Sequence, residues 1–161
     1  MPAFSLTERS GVPYGSNDLA GHVWVANFIF TRCPDFCPVL TARMADLQAA
    51  TAEHPARLVS FSVDPDYDTP AVLGDYAKHT GAGAHWMFLT GPRPTMAALL
   101  RDGFHVAYAD DGPAASPITH SDRFVLVDQK LRIRGYYHGT DPDDVRRLGR
   151  DAASLGGDST T

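Results

Sequence analysis

The chain has 161 residues, 43% of them hydrophobic and 20% charged, with a formal net charge of −5. That length fits one domain with a core of its own, and the composition is that of an ordinary globular protein. The acidic balance, with no run of Lys or Arg, excludes nucleic acid and disfavours an anionic membrane surface as partners; a cationic partner or a metal ion suits it better.

The sequence opens Met1-Pro2-Ala3-Phe4, almost directly on residues that look structured, as expected of a chain from which a signal or anchor has been taken off. No stretch approaches the roughly 20 apolar residues of a membrane span. Phe4-Ser5-Leu6-Thr7 and residues 11–15 predict a short N-terminal hairpin, followed by a turn over 17–22. Val23-Trp24-Val25-Ala26-Asn27-Phe28-Ile29-Phe30 is apolar almost without alternation, as in a central strand buried on both faces. Next stands Cys33-Pro34-Asp35-Phe36-Cys37-Pro38. From Pro38 to about Glu53 a helix is predicted, with proline in its first turn, Leu40, Met44, Leu47 and Ala50 at helical spacing, and Pro55 as its stop. Arg57-Leu58-Val59-Ser60-Phe61-Ser62-Val63 is a second strand, and the β-α-β unit so completed calls for parallel pairing.

The acidic loop Asp64-Pro65-Asp66-Tyr67-Asp68 leads into a helix with Thr69 as N-cap and Pro70 at its first position, ending near Gly81. Trp86-Met87-Phe88-Leu89 predicts a third strand, residues 93–102 a short helix, and 104–108 a further strand. Residues 109–119, rich in Asp, Gly, Ala and Pro, predict a loop. Arg123-Phe124-Val125-Leu126-Val127 and residues 131–137 form a hairpin about Asp128-Gln129-Lys130. Asp141-Pro142 opens a last helix to about residue 155, ahead of a frayed tail. The order β-α-β, helix, β-β-α is a thioredoxin-like α/β topology. It predicts one domain over 1–161, ordered from about 4 to 155, with a central mixed sheet flanked by helices and an N-terminal hairpin extension.

Cys33 and Cys37 are the only cysteines, and they sit where the first central strand gives way to a helix. In the first turn of a helix, residues i and i+4 share a face with Cβ atoms roughly 5–6 Å apart. That separation suits two thiolates on one metal ion, whereas a disulfide prefers about 3.8 Å; a disulfide still forms if the loop adjusts. Two inert core cysteines are the plain alternative, but prolines after both and an Asp between them make a poor core segment. Helix N-terminal amides stabilise thiolate, which serves metal binding and redox exchange alike.

A third ligand would separate those chemistries. His22, His54 and His79 lie beside turns or helix ends, and His85 and His105 begin strands. His120, in Ile118-Thr119-His120-Ser121-Asp122, sits where the loop facing the cysteines runs into the hairpin, and is the expected third ligand. His138, at the far end of the following strand, is placed at the opposite edge of the sheet. Two thiolates and one imidazole form a soft set suited to copper, Cu(I) above all. Zinc accepts the same donors but wants a fourth protein ligand in a structural site, and none is obvious. Asp35 and the 64–68 carboxylates fall near the same face, where turn and cap roles are the ordinary reading. Asp68 is as well placed to support the site as to cap the helix.

These motifs resemble the Sco/SenC family. The features that carry the resemblance are Cys-Pro-Asp-Phe-Cys-Pro after Phe-Ile-Phe-Thr-Arg, then Phe-Ser-Val-Asp-Pro-Asp-Tyr-Asp-Thr-Pro, Phe-Leu-Thr-Gly-Pro, and His-Ser ahead of Phe-Val-Leu-Val-Asp. They run in the family's order from about residue 4 to 155. The resemblance implies a thioredoxin-like copper chaperone of cytochrome c oxidase assembly, with Cys33, Cys37 and His120 as metal ligands and a copper ion, Cu(I) or Cu(II), as what it binds. It further implies a membrane or lipid anchor at the N-terminus and a periplasmic or other extracytoplasmic location. The implied partners are the copper-site subunit of the oxidase and another copper chaperone or thioredoxin-like reductant. Phe36, where the family often has a small aliphatic residue, and the Ser-Pro-Ile-Thr-His run are departures that bear on the acceptor rather than on copper.

Two functions follow: a copper chaperone, or a thiol–disulfide reductase attacking through Cys33 and needing no His120. A peroxide-reducing enzyme is a weaker third, since Phe30 stands three residues before Cys33 where a peroxiredoxin has Thr.

Overall fold

The structure, a computed structural model, describes residues 1–33, 37–53, 56–109 and 119–157, with the side chains of Ala109, Thr119 and His120 outside that set. Asp35, Phe36, His54, the helix stop at Pro55, residues 110–118 of the loop and the tail from 158 lie outside the described residues.

The N-terminal hairpin forms from β1 (Ser5–Glu8) and β2 (Pro13–Gly15), turning at Gly11, whose φ of 87° only glycine adopts without strain. Its turn-like sequel begins with one helical turn, α1 (Ser16–Leu19). The β-α-β unit follows as predicted: β3 (Trp24–Ile29), α2 (Cys37–Ala50) and β4 (Arg57–Ser62), with the two strands parallel from Trp24↔Arg57 to Ile29↔Ser62. In α3 (Pro70–Thr80) the Thr69 hydroxyl accepts from the Val72 amide, and Gly81 closes the helix in the left-handed region. Next comes β5 (Trp86–Thr90), parallel to β4 and antiparallel to β1. The hairpin is therefore one edge of the main sheet rather than an appendage.

The short helix is α4 (Arg93–Ala98), continued by a π-helical turn at Leu99–Gly103. The strand expected at 104–108 is not there. The Phe104 and Val106 amides bond back to the Leu99 and Leu100 carbonyls, both side chains are buried, and His105 between them takes φ 56°. A segment that buries two side chains while prolonging a helical turn cannot alternate as a strand does. Only its end pairs, as β6 (Tyr108–Ala109) against β7 (Thr119–His120). The C-terminal hairpin of β8 (Arg123–Val127) and β9 (Ile133–His138) starts its second strand later than expected, because Leu131 turns at φ 60°. The last helix, α5, covers Pro142–Gly157.

The seven strands run β2-β1-β5-β4-β3-β8-β9. Both faces of β3 are buried, and its side chains divide with period two. Val25 and Ile29 meet Leu40, Met44 and Leu47 of α2, Leu73 of α3 and Leu148 of α5 on one side. Trp24, Phe28 and Phe30 meet Leu100, Phe104 and the N-terminal segment on the other. Phe104 stacks edge-on against Trp24, Phe28 and Phe61 with ring centroids 5.1–6.1 Å apart, anchoring the π-helical turn. Across the central strands the Ser60 hydroxyl donates to Asn27 Oδ1 (2.6 Å) and accepts from Trp86 Nε1 (2.9 Å), all buried.

Candidate metal centre

The strand β3 ends in a tight turn, with the Cys33 amide bonded to the Phe30 carbonyl at 3.1 Å, and α2 begins at Cys37. The two cysteines are not joined in a disulfide, Cys33 half-buried and Cys37 only 1% exposed. They line one cleft of about 480 Å³ together with Phe30, Pro38, Thr41 and Tyr76. Cys37 is the first residue of a 14-residue helix, at the end where the helix dipole favours thiolate. The Tyr76 and Thr41 hydroxyls lie 2.7 Å apart in the cleft wall. Burial pushes the Tyr76 phenol up from its ordinary value; the Thr41 hydrogen bond opposes this, and negative charge on Cys37 and Cys33 adds to it.

Two buried carboxylates underlie the cysteine turn. Asp68 is fully buried; one oxygen accepts from the Thr31 hydroxyl at 2.5 Å, the other from the Thr31 amide at 3.2 Å and the Ser62 hydroxyl at 2.8 Å. It therefore joins the ends of β3 and β4 beneath the loop, and the cap of α3 is Thr69 alone. Burial raises its pKa, against the pull of those hydrogen bonds. Asp64 is nearly as buried but faces cations: Arg32 Nε at 2.8 Å and Arg93 Nη2 at 3.6 Å. Arg32, next to Cys33, also stacks on the Tyr67 ring at 4.5 Å.

Among the described residues no three His, Cys, Asp or Glu side chains gather closely enough to hold a metal. The His120 imidazole is outside that set. Its backbone pairs in register with Tyr108, whose hydroxyl accepts from Arg93 Nη1 at 3.4 Å. His138 is on the edge strand, as expected, but antiparallel pairing opposite Arg123 returns it to the end of the sheet where β3 runs out. Its Nδ1 lies 3.2 Å from the Asp122 carboxylate. Of the other described histidines, His22 meets Arg57 and His79 the Asp75 carbonyl.

The family model for SCO1/SenC matches residues 1–150. The chain belongs to the SCO1/SenC family. Among solved structures it is similar to a SCO1/SenC family lipoprotein from Bacillus anthracis, at 33% identity, covering 96% of this chain and 94% of that one with a TM-score of 0.90. It is also similar to BsSco, described as a member of the Sco family of cytochrome c oxidase assembly proteins and carrying a disulfide switch; identity is 30%, coverage 99% and 94%, TM-score 0.85. Arabidopsis thaliana ScoI with copper bound shares the fold at 24% identity, 96% coverage of both chains and a TM-score of 0.80. The fold of this SCO1/SenC member is thus the thioredoxin-like α/β arrangement read from its element order.

Among the described residues, Thr41 and Tyr76 in the cleft wall, and Arg93 and Tyr108 beside the β6–β7 pair, escape a sequence reading centred on Cys and His. Thr41 alone left a signal, since it stands four residues after Cys37 and so shares its helix face. The others come from elements whose placement depends on sheet order.

Proposed function

We propose that this protein binds one copper ion through the Cys33 and Cys37 thiolates and the His120 imidazole, and passes it to the copper-site subunit of cytochrome c oxidase. The observation that carries the reading is the pair of reduced cysteines lining one cleft at a helix amino end. Such donors fit copper: soft sulfur satisfies Cu(I), and an added imidazole lets the same site hold Cu(II). Cys33 is the accessible partner and Cys37 the retained one, so an incoming ligand meets Cys33 first. Copper leaves without redox chemistry if the acceptor's thiolates replace Cys33 and then Cys37. The likeness to an anchored lipoprotein supports an extracytoplasmic, membrane-attached site of action. No helix among the described residues is long and apolar enough to cross a membrane.

The same asymmetry supports a second reading, a reductase of the oxidase cysteines. The Cys33 thiolate attacks a partner disulfide and one partner sulfur leaves as thiolate. Cys37 then displaces the second, so the partner gains two electrons and Cys33–Cys37 becomes a disulfide.

Competition titrations of the reduced protein test the first reading. Cys33→Ser and Cys37→Ser each abolish stable Cu(I) binding, and affinity weakens as pH falls and protons compete for sulfur. His120→Ala keeps Cu(I) affinity while stable Cu(II) binding and its sulfur-to-copper charge-transfer bands are lost. Copper binding that survives alkylation of both cysteines would refute the thiolate site. Unchanged Cu(II) binding in His120→Ala would remove the imidazole from it. Disulfide reduction by Cys33→Ser at the native rate would dismiss the reductase.

A further inference from the structure

The proposed ligands lie on two separate parts of the chain, the turn after β3 and the β6–β7 pair, and the described residues contain a polar bridge between them. Arg32, the residue before Cys33, donates from Nε to Asp64 Oδ2 at 2.8 Å. The other Asp64 oxygen faces Arg93 Nη2 at 3.6 Å. Arg93 also donates from Nε (3.0 Å) and Nη2 (2.8 Å) to Asp66, and from Nη1 to the Tyr108 hydroxyl (3.4 Å). Tyr108 has the Arg101 guanidinium over its ring at 5.7 Å and is the register partner of His120.

We propose that Asp64 and Arg93 are positioning residues that hold the His120-bearing strand against the cysteine turn, so that the imidazole joins the two thiolates. This rests on the three-ligand reading above. The Asp64 side chain is 2% exposed, and its two oxygens each face a guanidinium from a different half of the site. A buried carboxylate flanked in this way fixes both cations, because moving either leaves charge uncompensated in a poorly solvated place. Arg93 then carries the constraint to Tyr108 through a planar fork that also engages Asp66. Among the described residues Asp68 makes no comparable bridge; its side-chain partners lie at the ends of β3 and β4.

Cu(I) content with two thiolates is indifferent to where the imidazole sits, and Cu(II) is not. Arg93→Gln therefore lowers Cu(II) affinity by about 10–100-fold, the usual effect of losing a partner that orients a ligand, and leaves Cu(I) affinity within about threefold. Tyr108→Phe, which removes only the hydroxyl, shifts Cu(II) the same way by less. In the His120→Ala background Arg93→Gln adds nothing. Without copper, amide exchange at Tyr108 and His120 quickens in Arg93→Gln while exchange in α2 and β3 is unchanged. Asp64→Asn is a harsher probe because of its burial; Arg93 is 30% exposed in the first turn of α4, and when it is replaced Arg32 still faces Asp64, so Arg93→Gln is the milder test. Equal losses of both copper affinities, no loss of either, or a further Cu(II) loss on top of His120→Ala would each overturn the bridge. If His120→Ala itself leaves Cu(II) binding intact, the ligand set has failed instead, and faster β6–β7 exchange in Arg93→Gln would still show the mechanical link.

Discussion

Asp128, in the turn between β8 and β9, and Asp68, beneath the cysteine turn, are both almost completely buried, yet their surroundings are opposite. Asp128 accepts from the Lys130 and Arg132 amides at 2.9 and 3.0 Å and from the Arg132 and Arg134 guanidinium groups at 3.0 and 3.2 Å. Burial works against its charge, but those donors outweigh it and hold the carboxyl down to about 2. Asp68 has two hydroxyls and one amide, and burial wins. The hairpin turn is a finished structure with its charge matched. The ground under the cysteines holds a carboxylate that resists ionising, next to thiols that must ionise to work.

The largest effect expected from this contrast is on Asp68→Ala. It leaves the Thr31 amide and hydroxyl and the Ser62 hydroxyl without an acceptor in a closed space, a loss of roughly 3 kcal/mol. Chemical denaturation of the reduced protein reads it directly. Asp128→Ala is next, at roughly 1–2 kcal/mol near neutral pH, discounted because both arginines are well exposed and keep their hydration. A larger loss from Asp128→Ala than from Asp68→Ala would reverse the ranking of matched and unmatched burial.

Acid titration sharpens the contrast through sign. The folded value of Asp128 lies below its unfolded one, so its contribution is complete above the ordinary carboxylate range and disappears as pH falls from about 4 to about 2. The folded value of Asp68 lies above its unfolded one, so ionisation lowers stability as pH rises from the ordinary carboxylate range toward that raised value. Asp128→Asn therefore flattens the fall in stability below about pH 4, whereas Asp68→Asn acts above it, where it removes an opposing slope and steepens the fall on acidification. Parallel melting curves for both variants across acid pH would contradict the assignment. The smallest effect belongs to Tyr76→Phe. It deletes the hydroxyl shared with Thr41, at about 0.5–1 kcal/mol, and leaves both cysteines in place.

Legibility in the sequence followed the range of the interactions. The β-α-β unit, the capped α3 and the C-terminal hairpin were readable because apolar runs, Thr69-Pro70 and the 128–130 turn act within a few residues of themselves. The strand assigned to 104–108 failed because two apolar residues at i and i+2 look like alternation. In fact a π-helical turn delivers Phe104 and Val106 to the core with His105 in the left-handed region between them. The cysteines announced themselves by spacing. Their polar setting did not: Arg93 comes from α4 and Tyr76 from α3, and neither approach can be inferred until the sheet order is known. Asp68 was ambiguous between cap and support because both roles favour the same residue at the same position; Thr69 took the cap.

The buried relay of Asn27, Ser60 and Trp86 bears on how the chain avoids misalignment. A strand that is apolar on both faces, as β3 is, gains little from hydrophobic pattern when choosing among sliding positions, since a one-residue slip trades one greasy face for another. The relay breaks that degeneracy. Only with Asn27 opposite Ser60 do the amide and the hydroxyl that also holds the indole find one another; any other alignment of β3 strands the Asn27 carbonyl and the Ser60 hydroxyl proton in the core. The same choice sets how far the chain overshoots the sheet, because each residue of slip moves Cys33 by about 3.3 Å along the strand. A polar lock in the middle of the sheet thus acts as the ruler for the thiol at its tip.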